Sequence, residues 1–259
     1  MRQFSGYLVV MLLLVAVSAS GALADTFFLY DQYGGTWQDA NKSVANTEGD
    51  LMCWAAAASN ILAWGHWETD TYNTTDLIFQ HFQDHWTDAG GWMNWGWKWW
   101  FDGSPPPTSA YSYPDVPGGG NFYPTLNFND YYASSTGGNL MSAIDTLLHQ
   151  GKGVTLGLIK NGGSHAVTVW GYTFSTPGSY TSLYLTDADD GYLGLREYPL
   201  IWQDDAWYLG GGYSGWQIIT VQALGSSPAP ISPSWLLFGT GVFSLFLLGR
   251  RRRLQKGNP

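Results

Sequence analysis

At Gly153 the chain changes its period. Before that point apolar residues recur at helical spacing, whereas afterwards short β-branched and aromatic runs follow one another: GVTLGLI, HAVTVWGY, TSLYLTD, LGLREYPL and GWQIITVQAL, separated by turn residues. Helices first and strands afterwards constrain the chain to an α+β domain, with N-terminal helices followed by an antiparallel β-sheet. One helix is expected from Leu51 to about Trp64, an Ala, Leu, Met and Ile run without Gly or Pro for which Asp50 is the N-cap. A second covers Thr75 to His85. A third runs from about Asn139 to His149, with Gly151 at its C′ position. Between the last two, Gly90 to Gly138 is rich in Trp, Gly, Pro and Tyr and reads as long loops folded over the core.

Neither end of the chain belongs to this domain by pattern. Residues 1–24 combine Arg2, the apolar run Tyr7 to Val17 and the small residues Ala22-Leu23-Ala24 before Asp25, which is the make-up of a secretory signal peptide. At the other end, residues 225–233 form a Pro/Ser linker. The apolar segment 234–249 follows, about 16 residues and near the lower limit for a membrane span. Residues 250–259 open on an arginine cluster, which orients the tail with its basic end in the cytoplasm and the preceding domain outward. The tail resembles the PEP-CTERM sorting signals of Gram-negative bacteria, which implies processing by an exosortase. Its Pro228-Ala229-Pro230 lacks the glutamate usual between the prolines.

What remains, residues 25–224, suits one domain. It holds all 20 acidic residues of the chain and, as bases, Lys42, Lys98, Lys152, Lys160 and Arg196. That balance excludes nucleic acid as a partner, because phosphate binding needs basic surface. The single cysteine, Cys53, excludes an internal disulfide and leaves a free thiol in an exported protein.

A thiol nucleophile needs a lowered pKa, a base within reach and donors for an oxyanion. Cys53 falls in the first turn of the expected helix, where the macrodipole favours thiolate and backbone N–H groups point outward. His165 opens the strand HAVTVWGY after Asn161-Gly162-Gly163-Ser164, an edge position exposed on one side. If that strand and TSLYLTDAD form a hairpin with its centre of symmetry at Thr176, His165 faces Asp187, with Asp189 on the same side. A carboxylate there orients the imidazole and stabilises imidazolium. The argument depends on register, since a one-residue slip turns the aspartate to the other face.

The stretches GDLMCWAAAASNIL, SHAVTVWGY and YLTDADDGYLGLREY resemble the motifs of the Mac/IdeS-type immunoglobulin-cleaving cysteine endopeptidases, a papain-like branch. The resemblance implies a papain-like cysteine protease fold, with Cys53 as nucleophile, His165 as base and Asp187 and Asp189 as the aspartates that follow it. It further implies a lysine as oxyanion side chain, for which Lys42, eleven residues before the cysteine, is the nearest match. Immunoglobulin specificity is not implied, because nothing matches in the Trp-rich segment.

Other patterns admit plainer accounts. Asp187-Ala188-Asp189-Asp190-Gly191 places its glycine one position early for a calcium loop and lacks the distal glutamate. HFQDH, with His81 and His85 four apart, lacks the glutamate of a zinc-peptidase helix. The Trp92 to Trp100 cluster suits core cover, a peptide groove or a sugar-stacking surface. Its loop composition places Trp95 and Trp97 among the substrate-binding candidates. The sequence thus reads as an exported cysteine endopeptidase, periplasmic or at the cell surface, tethered to the membrane through residues 234–249. Its partner is a protein or peptide substrate, and neither metal nor cofactor is required. A Trp-rich surface module binding exopolysaccharide or peptide, with a vestigial Cys/His site, is the alternative from another class. Amidase or transpeptidase chemistry on the same triad is the nearer one.

Overall fold

The computed structural model of the chain describes residues 24–42, 50–189 and 194–228. It divides into two units, Met1–Ser226 and Ser227–Pro259. The expected signal peptide and the membrane or sorting segment lie outside the described residues. Among the described residues no helix is long and apolar enough to cross a membrane.

Among the described residues eight strands form one antiparallel sheet: β1 (Asp25–Phe28), β2 (Tyr132–Thr136), β3 (Lys152–Lys160), β4 (Gly163–Phe174), β5 (Tyr180–Thr186), β6 (Arg196–Gln203), β7 (Ala206–Leu209) and β8 (Trp216–Gly225). Pairing runs β4–β3–β8–β7–β6–β5, and β5 pairs back to β4, so six strands close into a barrel. β1 adds to the far end of β4, and β2 to the far end of β8. This corrects the papain-like expectation of N-terminal helices followed by a sheet: the dominant feature is a closed six-stranded antiparallel β-barrel.

Closure is invisible in strand patterning, because an apolar run reads alike in an open and a closed sheet. What bends this one are irregularities in the ladders, between Gly157 and Leu158, between Val169 and Gly171, and between Thr173 and Phe174. Extra residues of this kind sharpen local twist and curl a strand. The central stretches of β3 and β4 are buried without the alternation of a half-exposed sheet, as expected of strands covered on both faces.

Among the described residues five α-helices accompany the barrel: α1 (Leu29–Tyr33), α2 (Cys53–Trp64), α3 (Thr75–His85), α4 (Met93–Asp102) and α5 (Leu140–His149). α2 is the core helix, buried from Trp54 through Leu62, as befits a segment apolar all round. It begins at Cys53 and not at Leu51: Met52 is the N-cap, and Asp50 sits exposed in the preceding turn. α3 has the expected limits, with the Thr74 side chain accepting from the Leu77 N–H at 3.2 Å.

α4 lies inside the segment expected to be loop. Of its buried residues, Met93, Gly96, Trp97, Trp100 and Phe101 follow helical spacing, one stripe of a helix, and Trp99 is buried beside it. Gly96 is the reason a glycine is tolerated there: a Cβ would lie 2.8 Å from the Trp54 ring and 3.1 Å from that of Phe82. Four of the buried indoles are also satisfied, whereas Trp86 Nε1 is buried with no hydrogen-bond partner among the described residues. Trp54 donates to the Ala89 carbonyl, Trp67 to Gly225, Trp97 to Ala58 and Trp100 to Trp67, at 2.8 to 3.1 Å.

Candidate active site

Two elements distant in sequence meet at the site, the start of α2 and one end of the β4–β5 pair, and a polar joint holds them in place. Asn60, buried on α2, accepts from the Ala40 N–H at 2.7 Å and donates to Thr168 on β4 at 3.0 Å and Thr186 on β5 at 3.4 Å. Thr186 in turn donates to the Gln38 carbonyl and accepts from the Trp170 indole, both at 2.8 Å. Every partner in this network is buried or nearly so, which makes the relative placement of helix and hairpin costly to disturb.

At the end of that hairpin, Thr168 opposes Thr186 and Val169 opposes Leu185, so the turn is centred on Pro177 rather than Thr176. The displacement moves the pairing by two residues, which preserves the face. His165 and both aspartates therefore still converge. The tight Asn161–Gly162 turn, with φ of +51° and +80°, starts β4 at Gly163 and fixes His165 opposite Leu158. His165 is not the exposed edge residue expected; its side chain is 8% exposed.

The imidazole Nε2 donates to Asp187 Oδ1 at 2.8 Å, and Nδ1 lies 3.4 Å from Asp189 Oδ2. Asp187 Oδ1 also accepts the Asp189 N–H at 3.0 Å, while Asp187 Oδ2 is buried with no hydrogen-bond partner among the described residues. Cys53, half-buried at the first residue of α2, lies close enough to the same imidazole to raise its pKa. With Nε2 committed to Asp187, Nδ1 is the nitrogen left for the thiol. Burial presses the imidazole toward its neutral form. The hydrogen bond to Asp187, the nearness of Cys53 and the charges of both outweigh it, raising the pKa from 6.5 to about 10. At neutral pH His165 is an imidazolium.

Its ring is packed as well as bonded. Tyr213 stacks on it at 5.8 Å between centroids, and Trp216 meets it nearly edge-on at 5.9 Å. Neither aromatic stands out in the sequence, because GGYSGW carries no motif and reaches the site only through barrel closure.

Beside Cys53 and His165 opens a cavity of about 410 Å3, whose wall includes Asp50, Leu51, Trp92, Trp95 and Tyr111. Trp95 thus lies where the substrate-binding expectation put it. Trp97 does not: it is fully buried, hydrogen-bonded to Ala58 and part of the core. Trp99 and Trp100 are buried too, which leaves little of the Trp run for a stacking surface. Lys42 is absent from the cavity wall. Its ammonium pairs with Asp189 and donates to the Asp50 carbonyl at 2.5 Å. Of the expected site residues, then, Cys53, His165, Asp187 and Asp189 come together directly and Lys42 only through Asp189.

No family model and no curated protein matches the chain. The functional reading accordingly rests on this geometry and on the motifs.

The histidine pair on α3 has an ordinary account. His81 bonds the Gly119 carbonyl through Nε2 at 2.6 Å, and His85 Nδ1 bonds the His81 carbonyl at 3.0 Å. Burial, its largest influence, lowers the pKa of His81, as expected of a neutral core histidine.

Proposed function

We propose that this protein is a cysteine-type peptidase in which Cys53, His165 and Asp187 act in sequence on a peptide bond. The observation that carries this reading is a helix-start thiol beside an imidazole whose Nε2 is held by a buried carboxylate. Three residue types in those roles are what nucleophilic acyl transfer requires.

In the proposed reaction the Cys53 thiolate attacks the substrate carbonyl carbon, and the charge that develops on the oxygen is met by the Cys53 backbone N–H at the start of α2. The C–N bond then breaks, with the proton on His165 Nδ1 passing to the leaving amine. A thioester remains. Neutral His165 next takes a proton from water, the hydroxide adds to the thioester, and the acid product leaves as the proton returns to the Cys53–His165 pair. Asp187 stays ionised throughout and holds the ring by its Nε2–H. Asp189 bridges His165 and Lys42, so Lys42 serves the oxyanion only if it leaves that carboxylate.

The motifs around Cys53, His165 and Asp187 support the same reading. The composition of residues 1–24 and 225–259 supports export and tethering or sorting at the envelope. The test is a peptide-library digest by the full-length protein, with and without iodoacetamide. Cleavage abolished both by Cys53→Ser and by alkylation of Cys53 is the expected result. Cleavage that survives Cys53→Ser would exclude the mechanism, as would an alkylatable Cys53 in a protein that cuts no peptide.

A further inference from the structure

The turn before α2 carries more than the nucleophile. Asp50 was expected to cap the helix, yet Met52 takes that position, and Asp50 is left exposed at the wall of the cavity that holds Cys53. Among the described residues no hydrogen bond or ion pair reaches its carboxylate. The turn itself is fixed: the Leu51 N–H donates to Asp88 Oδ1 at 2.9 Å, and Lys42 holds the Asp50 carbonyl. Around it stand broad apolar surfaces, Leu51 at 59% exposure, Trp92 at 38% and Tyr111 at 85%, with Trp95 further in. No lysine or arginine lines the cavity, and Lys42 is turned toward Asp189.

We infer that this cavity receives a lysine or arginine side chain of the peptide substrate, an inference that rests on the peptidase reading above. A basic side chain matches the wall in both of its parts. Its methylene stem lies along Leu51 and the aromatic faces, and its cationic head reaches the Asp50 carboxylate and the indole π-surfaces. Alternatives fit worse. A large neutral side chain takes water from the Asp50 carboxylate and gives it no partner. An acidic one meets the charge of Asp50, and the His165 imidazolium on the same wall is already held by Asp187, with Asp189 beside it. The wider domain acts in the same direction, since its acidic surface draws cationic peptides to the mouth and repels anionic ones.

The size of the preference follows from the exposure of the groups. An exposed ion pair and a cation on an exposed aromatic face together give about a tenfold preference in kcat/KM. The experiment presents the full-length protein with peptides alike except at one position flanking the scissile bond, which carries in turn lysine, arginine, norleucine, glutamine or glutamate. Each flanking position is scanned.

At one position lysine and arginine are expected to exceed norleucine about tenfold, with glutamate the poorest. Asp50→Asn should bring the lysine-to-norleucine ratio close to one, and added salt should shrink it in the wild-type protein. Equal cleavage of the lysine and norleucine peptides at every position overturns the inference while leaving the peptidase reading intact. A ratio that Asp50→Asn does not change also overturns it, because the preference then lies elsewhere. Failure of every peptide, with Cys53 still open to alkylation, removes the peptidase reading and the inference together.

Discussion

Asp187→Asn removes one charge from the site while keeping its shape, and the structure indicates how the loss should depend on pH. In the wild-type protein burial pushes His165 toward its neutral form, and the bond to Asp187 is the foremost influence opposing it, ahead of Cys53. The result is a pKa of about 10 where 6.5 is ordinary. A group raised in this way stabilises the fold in full below its unfolded value, near 6.5, and that contribution is lost as pH rises through about 10. Each pH unit in the window corresponds to about 1.4 kcal/mol, so the proton on His165 contributes several kcal/mol at pH 6. Without the Asp187 charge the foremost opposition to burial is gone and the window narrows. The amide adds a cost independent of pH. Its oxygen can replace Oδ1 toward His165, but its NH2 then takes the place of Oδ2, which has no described partner, at a cost of about 1–3 kcal/mol.

Urea unfolding of wild type and Asp187→Asn at pH 6, 8 and 10.5 measures both parts. The stability gap should be widest at pH 6 and shrink by pH 10.5 to the residual cost of the buried amide. Peptidase kcat at neutral pH should fall by about 10²- to 10⁴-fold, the range open to a triad that loses its orienting carboxylate. A gap of the same size at all three pH values would refute the argument, since it would mean that His165 is not held charged by Asp187.

Asp189, 34% exposed and 3.4 Å from the imidazole, should matter less than Asp187. In kcat, Asp189→Ala should cost about tenfold and Asp187→Ala considerably more, and the opposite order would reassign the orienting residue. Trp97→Ala should lower stability by about 3–5 kcal/mol, read from the urea midpoint, whereas Trp95→Ala should leave the midpoint nearly in place and change peptide selection. Asn60→Ala strips the joint between α2 and the hairpin, leaving the Ala40 N–H unsatisfied. About 2–4 kcal/mol of stability should go with it, and a mutant as stable as wild type would show that the joint carries nothing.

The sequence was most legible where chemistry and local pattern coincide. Thr74 and Asn139 cap α3 and α5 through their side chains, and such caps announce helices directly. Asp50 shows the limit of that rule: an aspartate before an apolar run resembles a cap whether it accepts from the helix or faces a cavity. α4 escaped because Gly, Trp and Asn at high density suggest loop, although the stripe from Met93 to Phe101 is helical and Gly96 is required by contact with Trp54. His165, Asp187 and Asp189 could be placed on one face because side chains alternate along a strand. The register itself escaped, since it depends on where the turn centres and on bulges that no residue type signals. Barrel closure escaped for a related reason. It depends on the β5–β4 pairing, a long-range consequence of accumulated curvature.

Barrel closure also bears on the chemistry. Tyr213 and Trp216 follow β7 and reach His165 only because the strands from β5 to β8 curl back onto β3 and β4, so the imidazole is shielded by the last part of the domain to be synthesised. Cys53 lies on a helix more than 100 residues earlier and is held to the same hairpin through Asn60. The Asp187 oxygen without a hydrogen-bond partner among the described residues then acquires a meaning. A buried carboxylate with one bare oxygen is unfavourable alone, and the neighbour that offsets its charge is the imidazolium of His165. Protonated His165 and the Asp187 carboxylate therefore stabilise each other, and in the proposed mechanism the proton needed to expel a leaving amine is in place before substrate arrives.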